Sequence, residues 1–358
     1  MRLALLLLLL GQLALLAEER TWTDIDGREI KASLVRVEGD KFVIRLKGKT
    51  YTWPAAKFSA PDQDYATDWK VKQEASRKER LSKLVGAFPN SPLTTRAYPK
   101  PADYLDGHVF QGYLERTPPD YRKQNLDALD YAIAEQSAAL FVPPNYDESQ
   151  AFGVYVFVNA GNGTRLPSAD YRNLFEKYRL IYITANRSGN KEVMSRRLAL
   201  ALDSLATVNA AYRIDPKRCY VGGVSGGGIM STMINFLRPE HFRAAINIVR
   251  GALLEPYVMR KAVTYGGGAY EAGSKFNPFI PRLENKHGKL SKAYGDKRWV
   301  FISGDQDFNY EFSQASGPQW SKHGYRAKSF DVPGMGHTNA PVATFEEALH
   351  WIESKSGP

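Results

Sequence analysis

The chain has 358 residues, of which 43% are hydrophobic, 12% aromatic and 24% charged: enough for about two globular domains, and too apolar for a disordered or fibrous chain. A single cysteine, Cys219, excludes an internal disulfide and a thiolate-rich zinc or iron–sulfur centre, so neither cofactor nor metal is expected. The net charge of +10 invites a nucleic-acid partner. Against it, Lys and Arg are spread along the chain, and the densest run, Lys70 to Lys83, alternates with Glu74 and Glu79 in a helical stretch, as on a solvated face. No nucleic-acid partner is expected, and a preference for acidic polymers is only a weak hint.

Residues 1–17 read as a secretory signal peptide. Arg2 precedes the run Leu3 to Leu10, which Gly11-Gln12 interrupts before Leu13 to Ala17, so the apolar stretch is short for a membrane span and suits cleavage after Ala17. No later apolar run reaches the length of a span, so we expect an exported protein (periplasmic, cell-surface or secreted) with no stable membrane span after cleavage.

Residues 18–68 read as a small all-β module. Apolar and polar residues alternate over Ile30 to Val37 and Phe42 to Leu46, turns fall at Glu38-Gly39-Asp40 and Lys47-Gly48-Lys49, and Tyr51-Thr52-Trp53 follows. Such consecutive hairpins, with Trp22 and Trp53 as core aromatics, suit a small open barrel. Thr21-Trp22-Thr23-Asp24, Asp26-Gly27 and Lys57-Phe58-Ser59-Ala60-Pro61-Asp62 resemble the Sla-type homology domain. That resemblance implies a possible protein or peptide ligand, and a packing or spacer role is an equal alternative.

Residues 69–104 read as a polar helix, about Asp68 to Val85, and a Pro-rich linker through Phe88-Pro89-Asn90-Ser91-Pro92 and Pro99-Lys100-Pro101, where proline is incompatible with a helix interior or a central strand. From 105 to 358 strands alternate with helices. Strands are expected at Ala138 to Val142, Val154 to Val158, Leu180 to Thr184, Cys219 to Val221, Ala244 to Val249, Trp299 to Ile302 and Arg326 to Asp331. Helices are expected at about Glu192 to Tyr212, Gly227 to Leu237 and Thr344 to Ser354. This rhythm predicts an α/β class protein with a mostly parallel, doubly wound sheet. Residues 254–296, with Gly266-Gly267-Gly268 and several aromatics, break the rhythm and read as an insertion over the site.

The chemistry concentrates at Gly223-Val224-Ser225-Gly226-Gly227, between a strand and a helix. A serine on a tight strand-to-helix turn lifts its hydroxyl above the sheet, and flanking glycines relieve the crowding, which makes Ser225 the candidate nucleophile. The alternatives are a purely structural glycine turn, or a dinucleotide site through Gly222, Gly226 and Gly228; a cofactor motif of that kind normally follows a domain's first strand, and here three strands precede it. Among six histidines, His337 alone follows a strand and the loop Val332-Pro333-Gly334-Met335-Gly336, where it can serve as base. Ser303-Gly304-Asp305-Gln306-Asp307 ends another strand; Asp307, three residues after the glycine, is favoured over Asp305 as the acid. The order Ser225, Asp307, His337 is the one expected of α/β-hydrolases.

Stabilising a tetrahedral oxyanion requires N–H donors aimed at the developing charge. Gly226 supplies one, and Gly161 or Asn162, in the loop Asn159-Ala160-Gly161-Asn162-Gly163, the other. Asn186 and Arg187, in the loop after the next strand, are candidates to line a substrate cleft.

With these residues, the region from about 105 to 358 resembles an α/β-hydrolase-fold serine esterase, most similar to the polyhydroxybutyrate-depolymerase and feruloyl-esterase-like branch, on Gly223 to Gly228, Gly304-Asp305-Gln306-Asp307-Phe308-Asn309 and Pro333 to His337. It departs from that branch in carrying Asn159-Ala160-Gly161 in place of a His-Gly pair. The resemblance implies cofactor-free acyl transfer to water from an ester-bearing glycan, polyester or peptide. A peptidase on the same triad and a non-catalytic exported binding protein are the alternatives.

Overall fold

A computed structural model describes residues 18–106, 118–265, 268–276 and 294–354. Residues 1–17, read as a signal peptide, and much of the insertion lie outside the described residues. The chain divides into two compact units at Leu84 and Val85, and each is considered separately.

In the first unit, β1 (Arg20–Thr23), β2 (Glu29–Glu38), β3 (Lys41–Leu46) and β4 (Lys49–Pro54) form an open antiparallel meander in that order. Lys47 and Gly48 take φ of 48° and 78°, the left-handed pair of a two-residue hairpin turn. One face of the sheet buries Trp22, Leu34, Phe42 and Ile44 with Phe58, and Trp53 packs half-buried against them.

Helix α1 (Ala60–Leu84) begins earlier than its polar composition suggests and belongs to this unit, because Ala66, Tyr65 and Trp69 pack on the module's core. Its start is built on Asp62, which is only 3% exposed. That carboxylate accepts the Thr23 N–H at 2.7 Å and the Ser59 hydroxyl at 2.9 Å and pairs with Arg20 at 2.7 Å. The lysines and arginines from Lys70 to Lys83 are exposed along the helix, with Lys83 paired to Glu79 at 2.8 Å.

The second unit opens inside the stretch read as a linker. Gly86–Pro92 is strand β5, the outermost of an eight-stranded sheet, paired antiparallel with β6 (Ser137–Val142). The pairing shifts between Phe88 and Ser91, so Pro89 sits where a missing N–H is tolerated: proline is excluded from central strands, not from edges. The sheet therefore starts at Gly86 rather than near 105.

After α2 (Pro119–Asp127) come β7 (Phe152–Val158), α3 (Ala169–Lys177), β8 (Leu180–Ala185), α4 (Met194–Ala211), β9 (Ile214–Val224), α5 (Gly226–Leu237) and β10 (Ala244–Ile248). The small strand pairs β11 (Tyr257–Val258) with β14 (Lys275–Phe276) and β12 (Val263–Tyr265) with β13 (Gly268–Tyr270) lie in the insertion. β15 (Arg298–Ser303), α6 (Tyr310–Lys322), β16 (Arg326–Asp331) and α7 (Val342–Glu353) complete the unit.

The sheet order is β5-β6-β8-β7-β9-β10-β15-β16, with the strands from β8 to β16 mutually parallel. This is the α/β-hydrolase fold. The near-continuous apolar runs of β7 and β8 are buried on both sides, as parallel strands covered by helices require. Alternate residues face opposite layers. Tyr155 and Tyr182 meet Phe175 of α3, and Tyr155 also meets Phe345 of α7; Trp299 and Phe301 meet Trp320 of α6 on the other side.

Replacing Asp62 with alanine removes three partners at one buried position and leaves Arg20 without its carboxylate, a loss of about 2–4 kcal/mol. Hydrogen exchange of the Ala32–Ile44 amides should accelerate accordingly, while the amides of β7 and β9 keep their protection.

Candidate active site

β9 ends at Val224 and α5 starts at Gly226, so Ser225 alone makes the turn, at φ 56° and ψ −123°. A residue with a side chain pays about 1–3 kcal/mol for such a backbone, and the surroundings must hold it there. The Ser225 N–H donates to the Ile248 carbonyl at the end of β10 (2.9 Å), and its carbonyl accepts the Ile229 N–H (3.2 Å). Gly227 lets the helix touch the sheet: a Cβ there would stand 1.9 Å from the Val158 carbonyl oxygen. Gly226 occupies the first helical position, where an N–H has no acceptor within the helix.

The candidate acid and base come from the loops after β15 and β16. These loops interlock: the Gln306 N–H donates to the Met335 carbonyl (3.2 Å), and the Gly334 N–H to Asp305 Oδ1 (2.7 Å). Their pairing brings His337 Nδ1 to 2.8 Å from Asp307 Oδ1. An ionised carboxylate only accepts, so in the neutral ring Nδ1 carries the proton and Nε2 the lone pair. Neither Nε2 of His337 nor Oγ of Ser225 has a hydrogen-bond partner among the described residues, so no bond joins the serine to the imidazole.

The Asp307 side chain is fully buried and also accepts the Asn309 N–H at 3.2 Å, whereas 27% of the His337 side chain is exposed. Phe308 stacks on the imidazole, 4.4 Å between centroids and 25° between planes. The two aspartates thus have separate surroundings: Asp305 is exposed and ties down the histidine loop, and Asp307 is buried against the imidazole.

The residues expected to complete the site are distributed unevenly. In the loop after β7 the Gly161 N–H donates to the Asn159 side chain (3.2 Å), and the Asn162 side chain is bonded to the Gly189 N–H (2.8 Å) and Glu192 (2.9 Å). Among the described residues the Ala160 N–H has no acceptor. Asn186 is tied to Ser137, its amide donating to the hydroxyl at 2.8 Å, so it braces the start of β6. Arg187 is exposed, at φ 54°, with its N–H on the Asn162 carbonyl (2.9 Å).

The residue of that loop that reaches the Ser225 turn is Asn190. Its N–H holds the Ala160 carbonyl at 2.8 Å, and its side-chain oxygen lies 2.0 Å from where a Gly226 Cβ would be. Its polar side chain at a strand-end loop was visible in the sequence; its contact with Gly226 was not.

The described part of the insertion is seated on α6. Glu311 accepts the N–H groups of Arg260 (2.8 Å) and Lys261 (3.0 Å) and the Tyr257 hydroxyl (3.2 Å), and Met259, Tyr270 and Phe276 pack around Phe312. Tyr270 also meets Phe308, the ring stacked on His337. A cavity of about 530 Å³ lies between the insertion and α6, bordered by Tyr257, Arg260, Tyr310, Asp305 and Asp307. Among the described residues no group of three or more His, Cys, Asp and Glu side chains could hold a metal ion.

No family model matches the sequence, and no curated protein matches it in sequence. Similarity to solved structures is confined to fold. Est1E from Butyrivibrio proteoclasticus is 16% identical with a TM-score of 0.40, covering 60% of this chain and 91% of its own. An esterase from Rhizomucor miehei is 14% identical with a TM-score of 0.43, covering 72% and 98%. The esterase of Pyrobaculum calidifontis is 14% identical with a TM-score of 0.41, covering 69% and 95%.

The two glycines after Ser225 should respond differently to alanine. At Gly227 the added methyl meets backbone, an overpacking cost of about 1–3 kcal/mol. At Gly226 it meets only the exposed Asn190 side chain, which can turn aside. Thermal melts should show a clear fall in Tm for G227A, roughly 2–4 °C per kcal/mol in a domain of this size, and little change for G226A.

Proposed function

We propose that the chain is an exported serine hydrolase that cleaves carboxylic esters through an acyl-enzyme on Ser225, with His337 as base, Asp307 as its orienting acid, and no cofactor. What supports this reading is that a serine at positive φ on a strand-to-helix turn and an imidazole whose Nδ1 lies 2.8 Å from a buried carboxylate both stand at the carboxyl ends of strands of one sheet.

His337 Nε2 takes the Ser225 proton as Oγ attacks the ester carbonyl. Asp307 holds the ring and balances the imidazolium. The oxyanion binds the Gly226 N–H together with a donor from the loop Ala160 to Asn162, where the Ala160 amide has no acceptor among the described residues and the Gly161 amide is bonded to Asn159. The protonated His337 then gives its proton to the leaving alcohol, and water repeats the sequence to release the acid. Export rests on the apolar run after Arg2, and the substrate, an acylated glycan, polyester or peptide, is a matter for screening.

The test is labelling of the 18–358 chain with a fluorophosphonate, peptide mapping, and turnover of a short-chain nitrophenyl ester. Label on Ser225 and ester turnover are expected, with both lost in S225A. D307N should lower kcat about 10⁴-fold, while D305A, which removes the acceptor of the Gly334 N–H, should cost about 1 kcal/mol of stability. A folded chain with neither label nor turnover overturns the reading, and turnover of anilides without esters replaces the esterase by a peptidase.

A further inference from the structure

One buried charge is unused by this mechanism. Arg197, in the first turn of α4, is only 6% exposed, and none of its hydrogen bonds goes to a carboxylate. Its partners are three backbone carbonyls from three separate segments: Nε donates to Ser188 (2.7 Å), and Nη2 to Asn159 (3.2 Å) and Gly226 (3.0 Å). Burial without a paired anion pulls the guanidinium pKa down to about 10, with only the field of Glu192 opposing it. A cation held so expensively is more than filler, since its cost is recovered only through what it organises.

We propose that Arg197 is a positioning residue that sets the geometry of the oxyanion site, clamping the end of β7, the loop after β8 and the first turn of α5 around one guanidinium. In a trans peptide the carbonyl and the following N–H point in opposite directions. Holding the Asn159 carbonyl toward Arg197 therefore turns the Ala160 N–H, which has no acceptor among the described residues, to the far side of the loop. Holding the Gly226 carbonyl fixes the residue that presents the other donor. The Ser188 contact anchors the loop bearing Asn190, whose N–H grips the Ala160 carbonyl and whose side chain rests on Gly226. The planar fork matters, because three carbonyls in fixed directions match a guanidinium and not an ammonium.

This role rests on the serine-hydrolase reading, and its test separates the two. R197K keeps a cation but not the fork; R197Q keeps neither and serves if the lysine cannot be accommodated. Turnover per titrated active site should fall roughly 10–100-fold in R197K and further in R197Q, the scale of a donor displaced by part of an ångström. KM should stay within about threefold, because ground-state binding does not need the oxyanion donors. Inhibition by a phenylboronate, which forms a tetrahedral anion on serine, should weaken by the same factor as kcat. If variants that melt cooperatively keep kcat and boronate affinity, or lose kcat and KM together, Arg197 is a structural strut and the proposal fails. If the unmutated chain neither labels nor turns over, the hydrolase reading fails first and this role with it.

Discussion

The site depends on one uncomfortable backbone. Ser225 sits at positive φ without being glycine, and nothing in its own side chain stabilises that state. The strain is tolerated because both sides of the turn are fixed. β9 is hydrogen-bonded between β7 and β10, and the helix that follows is pressed so close to β7 that only glycine fits at 227. Sheet order is thus part of the chemistry. With β9 flanked by β7 and β10, the carbonyl of Ile248 receives the serine amide, and the loop after β7 lies beside the first turn of the nucleophile helix.

A second constraint places His337, the proposed base. His337 is five residues beyond Val332 in a loop that could adopt many shapes, and its position is set by the neighbouring loop. The bonds from Gln306 to Met335 and from Gly334 to Asp305 make the two loops one unit, with Asp307 and His337 facing inside it and Phe308 closing one face of the ring. This division of labour explains why two aspartates occur two residues apart: one shapes the loop, the other meets the imidazole.

Much of this was legible because it follows from local pattern. Apolar runs bounded by turn residues marked β6 to β10, β15 and β16, and the glycine-flanked Ser225 between a strand and a helix marked the turn. What escaped was non-local. β5 was hidden because its prolines, Pro89 and Pro92, argue against a central strand and say nothing about an edge. The attachment of α1 to the first unit rests on the buried Asp62 and on Tyr65, Ala66 and Trp69, in a helix that is otherwise mostly polar. Arg197 could not be read at all, since its partners are main-chain carbonyls 9, 29 and 38 residues away, and carbonyls leave no trace in residue identity.

The same asymmetry bears on how specificity is built. The insertion is held to α6 by Glu311, four residues after Asp307, and its Tyr270 reaches the ring that stacks on His337. Helix α6 therefore carries the insertion on its first turn and follows directly from the loop that orients the base. Two ring contacts, Tyr270 with Phe308 and Phe308 with the imidazole, connect the insertion to His337, whereas the strained serine turn is held by β10 and by Gly227 against β7. Ser225 and the proposed oxyanion donors are anchored to the centre of the sheet, while His337, the proposed base, shares its support with the insertion. The described part of the insertion therefore bears on the His337 side of the site and not on the turn that holds Ser225.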